Sequence, residues 1–239
     1  LVNIAQPFKA SGMMLTCLKE SGITDPKTDF KGKTLGVWFS GNEYPFLSWM
    51  SQLGLSTEGG PDGVTVLKQG FNVDPLIQRQ ADCISTMSYN EYGQVIDAGI
   101  PEDELKVFAY SDEGVATLED GLWTTQAKLD DPEMIDKLAR FVKASMRGWE
   151  WARENPDEAA AIVLDNDMTG AQTEAHQQRM VGEIVGALDL ETMQLGQAQS
   201  LELNDIGSVV LRTPSALPLD DYLLRDAEEM KDYFEDVHP

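Results

Sequence analysis

Hydrophobic positions along the first half of the chain follow two alternating periods. Short apolar, β-branched runs at Thr34 to Phe39, Val64 to Leu67, Asp82 to Met87 and Leu105 to Tyr110 predict strands. Between them, Tyr44 to Leu53, Asp74 to Gln80 and Glu91 to Ala98 carry the spacing of amphipathic helices. Strands and helices in alternation predict right-handed βαβ crossovers around a parallel sheet, ending near Tyr110. The opening LVNIAQPF reads as a strand already in progress, so the start is expected to be the interior of a larger protein.

The second half changes character. Val115 to Thr125 predicts an extended segment with a turn at Glu119-Asp120-Gly121. Asp131 is a good N-cap ahead of Pro132, and the helix that follows places Ile135, Leu138, Phe141, Val142, Ser145 and Trp149 on one face. Asn155-Pro156-Asp157-Glu158 starts another helix in a near capping box. His176 falls in a polar helix whose expected state is a solvated face. The pattern weakens from Leu195 and turns helical again over Asp220 to Val237.

The most informative stretch is GKTLGVWFSGNEYPF, residues 32–46, a strand broken at Ser40-Gly41-Asn42 and followed by a helix with Pro45 in its first turn. Such a unit turns free backbone N–H groups and the positive helix end toward the crevice at the strand's carboxyl end. Small ligands sit there in open α/β sheets. Trp38, Asn42, Glu43 and Tyr44 add stacking rings beside hydrogen-bonding groups, a set suited to a flat, nitrogen-rich ligand. Trp38 as a core residue and Glu43 as a helix N-terminal acid are the competing structural readings. Tyr89, Asn90 and Glu91 close the next such unit, where Asn90 also reads as an N-cap and Glu91 as a first-turn acid.

The chain has 239 residues, 41 acids against 18 bases and a formal charge of −23. That balance argues against nucleic acid, which requires clustered Lys and Arg. It suits solubility in a salty medium or a basic partner surface. No run of about 18 uninterrupted apolar residues is present to span a bilayer. Two histidines and two cysteines leave little for a metal site or a His-based triad. Cys17 and Cys83 have no metal-ligand spacing, and Cys83, inside an apolar strand, reads as a buried inert thiol.

DFKGKTLGVWFSGNEYPFLSWMSQLGL resembles the strand and helix that open the second lobe of ABC-transporter solute-binding proteins of the nitrate/sulfonate/taurine and thiamine-pyrimidine-precursor-binding family. VLKQGFNVDPLIQRQADCISTMSYNEY, EDGLWTT and RGWEWARENPDEAAAIV extend the likeness in order from about Leu1 to Val163. NEY at Asn90 to Tyr92 is most similar to the pyrimidine-precursor binders. Fungal pyrimidine-precursor synthases share the fold but carry a CCCFC motif and a functional His, neither found here, so no enzyme is expected.

The resemblance implies a two-lobed α/β fold of the periplasmic-binding-protein type II, with parallel-rich sheets and a first lobe lacking its N-terminal segment. Residues 1–28 would belong to lobe 1, 29–112 to lobe 2, and 113–239 would return to lobe 1 and the C-terminal helices. It implies an ABC-importer component that captures a small heterocycle, such as a thiamine pyrimidine precursor, between the lobes. The alternatives are a sulfonate, nitrate or taurine binder and a biosynthetic enzyme on the same fold. The expected ligand contacts are Trp38, Gly41, Asn42, Glu43, Tyr44, Tyr89, Asn90 and Glu91 from lobe 2, with Gln6 and Asp120 from lobe 1. Lys9, Ser11, Glu119 and Trp123 are weaker candidates, and Phe71, Asn72 and Asp74 follow another strand at the same rim. No cofactor or metal is expected. The expected partners are the small ligand and a membrane permease, with the protein a periplasmic or otherwise extracytoplasmic monomer.

Overall fold

A computed structural model describes residues 1–8, 11–115, 117, 121–170 and 172–187, and the backbone of 194–195, 201–203 and 209–211. Glu119 and Asp120, and the helix expected over 220–237, lie outside these residues. In chain order the elements are β1 (Val2–Gln6), β2 (Met13–Leu18), α1 (Pro26–Asp29), β3 (Thr34–Val37), α2 (Glu43–Leu53), β4 (Thr65–Lys68), α3 (Asp74–Ile77), β5 (Cys83–Met87), α4 (Glu91–Asp97) and β6 (Leu105–Ala109). There follow β7 (Leu122–Thr124), α5 (Gln126–Leu129), α6 (Pro132–Glu154), α7 (Pro156–Asp165), α8 (Glu174–Ala187), β8 (Gln194–Leu195), β9 (Leu201–Leu203) and β10 (Val209–Leu211).

The chain divides into two units, one of Leu1–Ala10 with Leu118–Pro239 and the other of Ser11–Thr117. Ser11–Thr117 is built on a five-stranded sheet in the order β4-β3-β5-β2-β6. β3 runs parallel to both β4 and β5, whereas β2 is antiparallel to both β5 and β6. The parallel pairing expected from the alternation holds across β4, β3 and β5, and β2 adds an antiparallel strand between β5 and β6. The expected boundary after residue 28 also falls inside this unit, because Met13–Leu18 fills the gap between β5 and β6 and satisfies a backbone ladder on each side.

Strand alternation sends one set of side chains to each face of this sheet. Met13, Leu15, Cys17, Leu35, Val37 and Cys83 meet Phe46, Trp49 and Met50 of α2 on one face. There Trp49 stands edge-on to Phe30 at 5.3 Å and lies 5.7 Å from Tyr110. Leu18, Ile84 and Leu105 meet Leu76 of α3 and Val95 of α4 on the other. Helices thus cover both faces, which explains why these strands read as continuous apolar runs.

Cys17 and Cys83 are register partners on β2 and β5 and form a disulfide. The inert-thiol expectation is corrected: 66 residues separate the two cysteines, and only the antiparallel pairing brings them together.

In the other unit, β1 lies between β7 and β8 in an antiparallel three-stranded sheet. Val2, Ile4 and Ala5 pack with Ile135, Ala139, Val142 and Met146 of α6. Asp131 caps α6 as expected, its Oδ1 accepting from Glu133 N–H at 3.0 Å. Phe141 is not on the buried stripe, being about 100° around the helix from Val142, and is exposed. Asn155 does not cap α7 with its side chain, which instead donates to Trp151 O at 2.9 Å. His176 and Gln177 are buried in α8, so the solvated-face expectation for His176 is also corrected.

Candidate functional site

Because β3, β4 and β5 run parallel, the loops that follow them, at residues 38–42, 69–73 and 88–90, leave the same edge of the sheet. This edge of the Ser11–Thr117 unit gathers most of the candidate residues. Gln6 lies in the other unit, on β1 opposite Gln194, and Asp120 lies outside the described residues.

In the first loop Ser40 adopts φ 67°, a left-handed conformation that disfavours a side chain with a Cβ. Gly41 follows at φ 113°, where glycine is the residue at home, and its N–H donates to Glu43 Oε2 at 2.7 Å. Glu43, at the first position of α2, therefore secures the loop that precedes it. Asn42 Nδ2 makes a long 3.5 Å contact to Phe39 O. Tyr44 is 63% exposed. Trp38 is only 3% exposed, and its Nε1–H donates to Gly70 O at 3.1 Å.

The loop after β5 is held more deeply. Glu91 is 5% exposed, with Oε2 accepting from Met87 N–H at 3.0 Å and Oε1 from Asn90 Nδ2 at 2.9 Å. Asn90 Oδ1 in turn accepts from Gln94 Nε2 at 3.0 Å. Asn90 is the N-cap residue, yet its side chain makes no cap hydrogen bond, and Glu91 reaches back to satisfy the strand end instead. A Cβ on Gly12 would come within 3.2 Å of both Ser88 Oγ and the Tyr89 ring, so this glycine leaves the room Tyr89 occupies.

Gln69 links the loops. Although buried, its amide imitates a neighbouring strand: Oε1 accepts from Ser85 N–H at 2.8 Å and Nε2 donates to Ser85 O at 2.9 Å. β3 lies between the two strands, and Gly36 gives the amide passage, since a Cβ there would approach Gln69 Oε1 at 3.1 Å and Ile84 Cγ2 at 3.0 Å. Sequence reasoning missed Gln69 and Gly12. A polar residue ending a strand and a glycine opening one carry no chemical signal until the strands are paired.

Ionisation adds little charge chemistry to this edge. Burial raises the Tyr110 hydroxyl well above its ordinary range, and although Ser85 is near, the hydroxyl makes no hydrogen bond of standard geometry. Tyr92 is pushed up to about 12, first by burial and then by its 3.0 Å bond to Glu102. Among the described residues no cluster of three or more His, Cys, Asp or Glu could hold a metal. No helix among them is long and apolar enough to cross a membrane.

This α/β chain in two units carries its candidate loops at the carboxyl edge of parallel strands, where open α/β sheets bind small ligands. The family model described as NMT1/THI5 like matches residues 1–159, and the chain belongs to that family. The chain matches none of the curated proteins. Among solved structures it is similar, at 16% identity and a TM-score of 0.32, to one from work on glutathione import in Gram-positive bacteria via GshT and the cystine ABC importer TcyBC of Streptococcus mutans. That match covers 45% of this chain and 44% of the other. It is also similar to an ancestral arginine-binding protein bound to arginine, at 15% identity and a TM-score of 0.33 over 54% of this chain and 53% of that one. The chain therefore spans about half the length of the structures it matches.

Proposed function

We propose that this protein is the solute-binding component of an ABC importer and captures a small flat heterocycle of the aminopyrimidine type, such as a thiamine precursor. The observation that carries the reading is the shared edge: in a chain of this family, three successive loops with aromatic and amide side chains leave one end of one parallel strand set. Asn42, Glu43, Tyr44, Tyr89 and Asn90 are the proposed contacts there, with Gly41 shaping the loop. The buried Glu91 is proposed to act by fixing Asn90 rather than through open surface of its own.

Binding without catalysis is favoured by the chemistry available. The two cysteines are joined to one another, which leaves neither thiolate to act as a nucleophile. The same disulfide favours an oxidising compartment, in keeping with an extracytoplasmic location and handover of ligand to a membrane permease. A ligand that favours a closed state by a few kcal/mol is sufficient for such handover.

One observation favours a second reading, an oxyanion such as a sulfonate or nitrate. Glu43 and Glu91 are engaged by protein donors, which weakens their repulsion of an anion, and Lys68 Nζ stands 5.5 Å from the Phe39 ring centre at the same edge. Thermal-shift titration separates the two. The first reading expects stabilisation by micromolar aminopyrimidine and none by taurine or nitrate, and the reverse pattern replaces it with the second. Mass spectrometry of ligand carried through native purification gives an independent answer.

A further inference from the structure

Phe71 is 81% exposed, yet the backbone on both sides of it is fastened from within. The carbonyl of Gly70 accepts the Trp38 indole N–H at 3.1 Å, and the carbonyl of Asn72 accepts from Gln69 Nε2 at 3.2 Å. Asn72 Oδ1 then accepts from Asp74 N–H at 3.1 Å, closing the turn into α3. Trp38 and Gln69 are both buried, so two polar groups of the interior are committed to the carbonyls on either side of Phe71. A phenylalanine that loses so little of its surface contributes little to folding, and a loop built only to connect β4 to α3 has no need of it. The Phe71 ring lies 6.0 Å from that of Trp38 at an interplanar angle of 31°, with Phe39 and Tyr44 exposed at the same edge.

We propose that Phe71 is the ring that meets the flat face of the ligand, and that Trp38 and Gln69 are positioning residues that hold it in place. This rests on the heterocycle reading of the site. It also gives Trp38 a role unlike the one its sequence suggested: its indole N–H and one ring face serve the Phe71 loop. The occupant is a planar heterocycle, because a rigidly presented aromatic gains most from an offset-stacked partner and little from a tetrahedral oxyanion. Pre-positioning also spares the ligand the cost of ordering a side chain on binding.

The test is calorimetric titration of the wild-type protein and of Phe71→Ala, Phe71→Tyr, Trp38→Phe and the Phe71→Ala/Trp38→Phe double variant. The panel is a 4-aminopyrimidine, a purine, taurine and nitrate. Loss of the stacked ring is expected to weaken heterocycle binding about tenfold, and Phe71→Tyr to stay within about threefold of wild type. The unliganded melting temperature of Phe71→Ala should match wild type, since the ring is exposed. Trp38→Phe should weaken binding in the wild-type background and have no further effect on binding once Phe71 is alanine, because its action passes through that ring. An undiminished Trp38→Phe effect on binding in the alanine background shows general damage and overturns the positioning role. A heterocycle held equally by wild type and Phe71→Ala overturns the assignment of Phe71 while leaving the heterocycle reading intact. A purine bound in place of the pyrimidine, and lost in Phe71→Ala, removes the pyrimidine precursor but supports Phe71. Taurine or nitrate binding with no heterocycle, or no binding at all, overturns both.

Discussion

The Cys17–Cys83 link offers the most direct quantitative test of the Ser11–Thr117 unit. Its two cysteines sit opposite one another on β2 and β5, and the closed loop spans a sequence separation of 66 residues. On the chain-entropy model, a loop of that length removes about 15 cal/mol/K from the unfolded ensemble, or about 4 kcal/mol at 25 °C. Cys17→Ala/Cys83→Ala should therefore unfold more easily, with a modest further cost because both sulfurs are fully buried. For a unit of this size the slope in urea is about 2 kcal/mol/M, so the midpoint should fall by about 2 M. The buried Trp49, on the face of the sheet that also holds both cysteines, reports the transition by fluorescence. Thiol titration under denaturing, non-reducing conditions should find no free thiol before reduction and two after it. Two free thiols at the outset would show that the link does not form. An intact link whose removal moves the midpoint by less than about 0.3 M would refute the entropic reasoning.

Further outcomes follow from individual groups. Glu91→Gln replaces one of two acceptors with a donor facing Asn90 Nδ2 and should cost about 1–2 kcal/mol in urea unfolding without ligand; a change in affinity with stability untouched would make Glu91 a direct ligand group. Gly12→Ala should weaken ligand binding more than folding, by displacing the Tyr89 ring, and equal affinity would remove Tyr89 from the site. On the alkaline side, Tyr92 and Tyr110 have raised folded values, so the folded protein keeps protons that the unfolded chain releases above its ordinary tyrosine value of about 10. Stability should accordingly fall from about pH 10 upward, through about 12 for Tyr92, and Tyr110→Phe should make that fall shallower in urea melts across the range. On the acid side the sign reverses: Thr169 and Gln172 hold Asp167 down to about 2, so its contribution is present above the unfolded value of about 4 and is lost as pH drops toward 2. Asp167→Asn should flatten that acid limb, and an unchanged limb would show that the loop does not depend on the charge.

Most strands and helices were legible because each predicted run is bounded by a physical signal. Gly54 ends α2 in the left-handed conformation at φ 72°, Asp131 and Pro132 open α6, and the apolar runs of β3 and β5 match burial on both faces. The antiparallel insertion of β2 was not legible. MMLTCL has the composition of any buried strand, and its direction is set by where the chain arrives from rather than by its own residues. The disulfide was hidden for the same reason, since pairing of Cys17 with Cys83 is a property of register.

The site shows the sharper limit. Residue type located the edge, because Gly41, Asn42 and Asn90 mark the strand-to-helix turns, but it did not divide roles among neighbours. Trp38 and Phe71 are both aromatic residues just past a strand, and the sequence favoured the larger ring. Their difference lies in where each side chain points: Trp38 is buried with its indole N–H on Gly70 O, while Phe71 is exposed on a turn whose carbonyls are held from below. Glu91 and Glu43 illustrate the same point for charge, both being acids at a helix start beside a loop. Glu91 is sunk into the strand end with both oxygens occupied, whereas Glu43 remains half-exposed with a single bond to Gly41 at 2.7 Å. Since a buried acid with its acceptors filled has little left to offer a ligand, Glu43 is the acid at this edge whose substitution should change affinity more than stability. Glu43→Gln measured in both assays is the comparison that decides it, and a loss confined to unfolding would make Glu43 an anchor of its loop rather than a ligand group.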